Sequence, residues 1–84
     1  MAEKRQVGKV THFFSKISVA AVELTAALKL GDTISIEGAG TAVEQRVESM
    51  QINNQPISEA KPGDVVGLKV AGKVKEGDRV YLEQ

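Results

Sequence analysis

The sequence of 84 residues has no cysteine or tryptophan, and its aromatic residues are Phe13, Phe14 and Tyr81. Without cysteine the chain forms neither a disulfide nor a thiolate metal site. Three rings are too few for a platform on which several nucleic-acid bases stack. No apolar run approaches the roughly 20 residues of a membrane-spanning helix, and the charged start MAEKRQ has no signal-peptide core. The composition predicts a cytoplasmic protein without a membrane partner.

Neither sign of charge is in excess, because 11 Lys and Arg residues face 11 Asp and Glu residues. A net charge of zero argues against strong, sequence-independent binding of nucleic acid through phosphate neutralisation. It remains compatible with a local basic patch, for which the candidates are Lys9, Lys16, Arg46, Lys69 and Lys73. The alternative is that these residues occupy ordinary solvated strand faces. We expect no DNA partner.

Valine and isoleucine alternate with polar residues along much of the chain, as at Ile34 and Ile36 in DTISIE. Such alternation is typical of half-buried strands. We predict six strands, over residues 6–14, 17–25, 32–37, 41–52, 64–70 and 78–82. Residues 1–5 are predicted to be a flexible tail and residues 6–84 a single β-barrel domain. The predicted core consists of Val10, Ile34, Ile36, Val47, Val66, Leu68, Val80 and Leu82.

Two of these strands change the face on which their apolar residues fall. The change at Ala20–Ala21 predicts a bulge or a bend in the second strand. The strand over 41–52 changes from Val43 and Val47 to Met50 and Ile52. An alternative is that VAAVELTAALKL forms a helix, because Ala and Leu favour one; a single helical turn over 24–28 also fits the strand interpretation.

One frame, Lys-x-Gly-Asp followed by alternating apolar residues, occurs at 29–37, 61–69 and 75–83. Glycine accepts positive φ, and the neighbouring aspartate can bond the turn backbone. We predict that the frame is a repeated turn-then-strand unit, with structural turns at Gly31, Asp32, Gly63, Asp64, Gly77 and Asp78. The alternative, three carboxylates meeting at a metal site, lacks a supporting Asp-x-Asp loop, and no metal is expected.

Few residues are candidates for chemistry. His12, the only histidine, is either an acid, base or RNA contact or a rim residue sharing the inward parity of Val10. There is no Gly-x-Ser-x-Gly frame and no phosphate-loop motif. We therefore expect no catalytic residues, no cofactor and no GTP binding. The Asn53-Asn54-Gln55-Pro56 stretch predicts a loop, either a simple turn or a polar contact surface.

The stretch SMQINNQPISEAKPGDVVGLKV, residues 49–70, resembles the second domain of translational GTPases of the elongation factor Tu and 1-alpha type. Its ungapped part matches at Ser58, Glu59, Ala60, Pro62, Gly63, Asp64, Val66 and Gly67. The hairpin LKLGDTISIEG matches at Leu28, Lys29, Gly31 and Asp32, and VKEGDRVYLE falls where the family has its last strand. The resemblance covers about residues 6–83 and extends to stand-alone elongation factor-like proteins and, more loosely, to the closing barrel of U32-type peptidases. It implies a small closed six-stranded antiparallel β-barrel of the translation-protein type.

The resemblance implies a function without the GTPase. The family's aminoacyl pocket falls on Asn53 and Val65, and because valine cannot hydrogen-bond through its side chain, that role is not transferred. The implied function is that of a non-catalytic, monomeric module contacting ribosomal RNA, transfer RNA or a protein of the translation machinery. The candidate contacts are Lys9, His12, Lys16, Arg46, Asn53, Asn54 and Gln55. The alternative is a protein–protein adaptor or accessory subunit acting in trans for an enzyme, without RNA binding.

Overall fold

The structure, a computed structural model, describes residues 4–53 and 55–83, in which all regular elements are β-strands. The strands are β1 (Lys4–Phe14), β2 (Val19–Leu24), β3 (Leu28–Lys29), β4 (Thr33–Gly38), β5 (Thr41–Arg46), β6 (Met50–Ile52), β7 (Gln55–Ile57), β8 (Glu59–Ala60), β9 (Val65–Lys69) and β10 (Arg79–Glu83). The all-β prediction is confirmed. The helical alternative is wrong, because alternating burial continues β2 to Leu24 and the chain then bends at Thr25 and Ala26. The described part contains no helix long and apolar enough to span a membrane.

Eight of the strands form one antiparallel sheet in the order β5-β4-β10-β1-β2-β9-β6-β7, and β3 pairs with β8. The first and last strands are therefore neighbours, with Lys4 opposite Glu83. Within the described residues the backbone ladder does not return from β7 to β5. The closed six-stranded barrel is thus not confirmed, and the observed architecture is an eight-stranded sheet with a separate pair of short strands, β3 and β8. The alternation pattern did not predict β3, β7 and β8, and it merged β6 with β5.

A side chain connects the β5 edge of the sheet to the end of β9. Nε2 of Gln45 donates to the carbonyl of Lys69 at 2.7 Å, and Oε1 of Gln45 accepts from the amide of Ala71 at 2.7 Å. Next to this bridge Gly72 lies so close to Val43 that a Cβ at residue 72 would be 3.0 Å from Cγ2 of Val43. We call this contact region the seam. The seam lies along part of the β5 edge, and strand edges left exposed can pair with other strands.

The core is aliphatic and lies on the inner face of the sheet. All predicted core residues are buried except Leu82, which is half-buried and packs against the others. The prediction missed several residues that are equally buried: Val7, Ala20, Val22, Leu24, Leu28, Met50, Ala60, Val70 and Val74. Burial of so many aliphatic side chains is the main stabilising contribution in a domain of this size.

The three Lys-x-Gly-Asp segments form the same hydrogen-bonded turn. Their glycines have positive φ, 92° at Gly31, 91° at Gly63 and 92° at Gly77. In each copy the aspartate amide donates to the lysine carbonyl at 3.1–3.2 Å, and Oδ2 of the aspartate accepts from the lysine amide at 2.8–3.1 Å. A glycine with positive φ at the third position is the pattern of a type II turn, which explains why Pro62 is accepted at the second position of one copy.

Each turn also bonds reciprocally to one buried residue elsewhere in the chain. The glycine amide donates to that residue's carbonyl, and the aspartate carbonyl accepts from its amide, with all six distances between 2.7 and 2.9 Å. The buried partner is Val47 for the turn at Gly31, Leu24 for the turn at Gly63 and Val10 for the turn at Gly77. The repeat is thus an architectural unit that both starts a strand and fixes a distant one. The aspartates lie in separate turns, and no cluster of three potential metal-ligating side chains occurs in residues 4–53 and 55–83.

The bulge predicted in the second strand lies instead in its neighbour. β2 alternates regularly, with Ala20, Val22 and Leu24 buried. The register shifts in β1, between Val10 and His12. The prediction was wrong because it assigned the inward positions to the larger side chains, whereas the small Ala20 takes one of them.

The predicted strand over 41–52 is interrupted. β5 ends at Arg46 and β6 starts at Met50, while Val47 turns into the core between them. Its amide and carbonyl are held by Asp32 and Gly31 rather than by a ladder. This interruption explains the change of parity along the segment.

Candidate functional site

An apolar groove lies on the outer face of the sheet where β2, β9 and β6 run side by side. In the register Ala21 is opposite Gly67, and Gly67 is opposite Gln51. The floor is therefore formed by residues with little or no side chain. The groove has a volume of about 340 Å³. Its lining residues are Phe14, Ile17, Val19, Ala21, Gln51, Asn53, Val65, Val66 and Gly67.

Three large apolar side chains flank the groove and face solvent. Phe14 is 47% exposed, Ile17 59% and Val65 50%. A strand with one solvated face normally carries polar residues there, but β2 and β9 are apolar on both faces near this point. Clustered exposed apolar surface of this kind is typical of a binding site.

The backbone at both ends of the groove has an unusual conformation. Ser18 and Asn53 are the non-glycine residues with positive φ in the described chain, at 55° and 52°. Asparagine adopts this region readily, whereas serine does so at a cost. The turn that contains Ser18 is closed by the amide of Ile17 donating to the carbonyl of Phe14 at 3.3 Å. Phe14 and Ile17 thereby line the same groove.

Charge is distributed unevenly around the groove. At the Val65 end, Glu23 lies opposite both Val65 and Lys9 in the register, so a cation faces that carboxylate across the strands. At the other end, Lys69 lies opposite Val19, and Lys16 precedes Ile17 in the turn. The ammonium groups of Lys16 and Lys69 have no ion-pair partner among the described residues. Two ammonium groups without an ion-pair partner thus lie near this end of the groove, whereas the carboxylate of Glu76 there is engaged by His12.

The residues proposed as RNA or partner contacts do not form one patch. Lys9 and His12 are exposed on β1, and Lys16 follows in the turn after it. Arg46 ends β5, which β4 and β10 separate from β1 in the sheet. Of the loop residues, Asn53 lines the groove, Gln55 is exposed at the start of β7, and Asn54 lies outside the described residues.

His12 is exposed, contrary to the expected inward parity with Val10, because the β1 bulge lies between them. Its Nδ1 lies 3.1 Å from Oε1 of Glu76. Its ring meets Phe14 edge-on with centroids 4.4 Å apart. With side chains 53% and 66% exposed, the His12–Glu76 contact is a surface interaction of small energetic value.

Of the groove residues, sequence reasoning proposed only Asn53 as a contact, as part of the polar loop; it compared Val65 with the elongation-factor pocket but did not transfer that role. It gave no contact role to Phe14, Ile17 or Gly67. The available signal was a pair of large apolar residues flanking the polar turn Ser15–Lys16, together with Val65 on the outward parity of β9.

The fold itself is that of a known domain class. No family model matches the chain. Among solved structures, the C-terminal domain of a putative U32 peptidase from Geobacillus thermoleovorans matches with a TM-score of 0.88 and 18% identity, over 94% of this chain and 92% of that one. Its selenomethionine variant matches with a TM-score of 0.85, over 90% and 96%. The chain therefore has the fold of this peptidase-associated β-domain.

Curated relatives point in the same direction. An uncharacterized protease of Methanocaldococcus jannaschii is 51% identical over 94% of the chain, and a collagenase of Porphyromonas gingivalis is 35% identical over 94%. Elongation factor 1-alpha of Pyrococcus horikoshii is 36% identical over 74%. The chain spans about a fifth of the length of the two protease relatives and 16% of the elongation factor. The U32-type resemblance is thus favoured over the translation-factor resemblance, which reverses the order in which the sequence motifs ranked them.

Proposed function

We propose that this chain is a non-catalytic accessory β-domain that binds the catalytic portion of a U32-type peptidase. The observation that supports this most strongly is the match of 94% of the chain to 92% of one isolated C-terminal domain of such a protein. In that class the β-domain accompanies a larger body, and the chain corresponds to a fifth of the protease relatives. This is the adaptor alternative raised by the sequence, and it takes the place of the RNA-binding interpretation.

The chemistry of the chain supports a binding role over catalysis. The sequence has one histidine and no cysteine, and the histidine is engaged by an exposed glutamate. The hydroxyl of Ser35 donates to Oε2 of Glu37 at 2.9 Å, but the two lie on β4 and His12 lies on β1, where its contact is Glu76. The lysines and Arg46 lie on different parts of the sheet and the net charge is zero, which weakens the case for RNA as the main partner.

The test uses the Methanocaldococcus jannaschii relative, from which the segment matching this chain is deleted. The purified chain is titrated into this truncated protein by isothermal calorimetry, and peptide hydrolysis is measured with and without the chain. We expect a 1:1 complex with a dissociation constant of about 1 µM or lower, equivalent to about −8 kcal/mol. We also expect no peptide hydrolysis when the chain is assayed without the truncated protein.

The relative's own deleted segment, expressed separately, is the matched control. If that segment binds the truncated protein and this chain does not, the proposal is wrong. Hydrolysis by the chain alone would contradict the non-catalytic part. If the chain binds total transfer RNA more tightly than it binds the truncated protein at the same salt concentration, the RNA interpretation is favoured instead.

A further inference from the structure

We infer that the outer-face groove binds a polypeptide segment that presents one apolar side chain followed by carboxylates. This inference rests on the proposed function in one respect: such a segment belongs to the catalytic portion to which the domain docks. The groove, its flanking residues and its charge are features of this chain alone.

The shape of the groove fits one inserted side chain. Its floor, formed by Ala21 and Gly67, is flanked by Phe14, Ile17 and Val65, whose side chains are 47–59% exposed. An apolar side chain placed there would bury its own surface and cover part of the exposed surface of these flanking side chains, which is the arrangement of an interface anchor. Gln51 and Asn53 supply polar groups at one side for the backbone of an entering segment.

The charge of the groove determines which residues are favoured next to the anchor. Lys16 and Lys69 lie at the Phe14 end without ion-pair partners among the described residues, whereas Glu23 at the Val65 end has Lys9 opposite it. Lysine stems can lie along apolar surface and keep their ammonium groups at the rim. Carboxylates next to the anchor would meet these two ammonium groups, whereas lysines or arginines in the same place would be repelled.

A second copy of the chain fits this face less well. Two copies placed face to face would oppose two recessed floors and leave space between them. A standard interface buries about 800 Å² per partner, and the chain exposes 5378 Å² in total. The groove with its flanking residues is a small part of that surface. Self-association is therefore an outcome that the binding experiment must distinguish.

The test is an amide chemical-shift titration of the ¹⁵N-labelled full chain with three capped pentapeptides. Their sequences are Gly-Leu-Asp-Glu-Gly, Gly-Ser-Asp-Glu-Gly and Gly-Leu-Lys-Lys-Gly. We expect the first to shift the amides of Ala21 and Gly67 in a saturable manner, and the other two to bind at least tenfold more weakly. Absence of saturable shifts at these amides, or equal binding of the lysine peptide, would overturn the inference.

Matched variants separate the groove from general surface effects. Ile17→Ser and the pair Lys16→Glu with Lys69→Glu should weaken peptide binding at least tenfold. Leu30→Ser and Lys73→Glu, which change exposed residues outside the groove, should leave it unchanged. Equal losses in both sets contradict the assignment. Concentration-dependent shifts at the groove without peptide would overturn it in favour of self-association.

The same variants distinguish failure of this inference from failure of the proposed function. If the truncated relative binds wild type and the groove variants equally well, the groove is not the docking site and the accessory function stands. If the acidic peptide binds the groove but the truncated relative does not bind the chain, the groove assignment stands and the proposed partner is wrong.

Discussion

Glycine is required in this fold for two unrelated reasons. At Gly63 the reason is backbone conformation, because φ is 91° and a Cβ would meet nothing within 4 Å. At Gly38 the reason is space, because a Cβ there would collide with Oδ1 of Asp78 and lie 2.7 Å from its Cγ. Asp78 is 5% exposed and bonds the amide of Lys75, so it has little freedom to move away.

The conformational requirement predicts a graded series at residue 63. Gly63→Asn should cost least, Gly63→Ala about 1 kcal/mol and Gly63→Val more, because tolerance of positive φ falls in that order. Urea denaturation followed by circular dichroism measures the free energies of unfolding. Three equal values, or a valine variant as stable as wild type, would contradict the explanation of the repeated turn.

The spatial requirement predicts coupling between residues 38 and 78. Gly38→Ala should destabilise wild type clearly but cost much less in an Asp78→Ala background, where the obstructing carboxylate is gone. A double-mutant cycle from the same denaturation experiment yields the coupling energy, which we expect in the range of about 0.5–3 kcal/mol for residues in contact. If the two substitutions are strictly additive, the coupling energy is zero and the close approach of residues 38 and 78 does not explain the cost of Gly38→Ala.

The seam depends on one amide side chain rather than on strand pairing. Gln45 uses both ends of its amide, donating to one backbone group and accepting from another on the far side of the gap. No other uncharged side chain of this length offers a donor and an acceptor together. The contact between β5 and the end of β9 is therefore made by a residue that strand propensity does not single out.

Gln45→Met keeps the length of the side chain and removes both hydrogen bonds. We expect it to cost about 1–3 kcal/mol, since each neutral hydrogen bond contributes about 0.5–1.5 kcal/mol. Hydrogen exchange of the Ala71 amide should accelerate, because that amide loses its acceptor. Gln51→Met, on the outer face of β6, is the control and should leave Ala71 unchanged; acceleration in both variants would rule out the seam as the cause.

The sequence predicted the strands that alternate cleanly, β4, β9 and β10, nearly to their ends. It failed where alternation alone cannot assign faces. The β1 bulge between Val10 and His12 is determined by the pairing with β2. Ala20 is buried, but alanine is small enough to occur on either face of a strand, so the pattern did not assign it to the core. The short strands β3 and β8 exist only because they pair with each other, which no local pattern indicates.

The groove was harder to predict than the fold. Its floor is created by the register that sets Ala21 against Gly67 and Gly67 against Gln51, and these residues are far apart in the chain. Ile17 was assigned to a strand, whereas the turn at Ser18 exposes it. Whether an apolar residue is exposed depends on how the strands pair in the assembled sheet. That pairing joins residues far apart in the chain, so local sequence patterns do not predict the exposure.

The molecule as a whole has a small stability reserve. At about 0.05–0.15 kcal/mol per residue, a domain of this length is stable by roughly 4–13 kcal/mol. Leu68 is 1% exposed in the centre of the core, so Leu68→Ala should remove about 2–5 kcal/mol. Val65→Ala, at an outward position of the same strand and 50% exposed, should change stability little. Comparable losses for the two, measured by thermal unfolding, would contradict the assignment of inner and outer faces of β9.

The pairing of the first strand with the last has a consequence for how the chain acquires its structure. β10 lies between β1 and β4, so each of these two strands lacks one neighbour until residues 79–83 have left the ribosome. Closing a loop of nearly the whole chain carries an entropic cost before it brings any contact, and folds dominated by such distant pairings form slowly. Until then one edge of β1 and one edge of β4 are unpaired in the nascent chain. Pairing of residues 79–83 with both strands is the step that joins the two parts of the sheet.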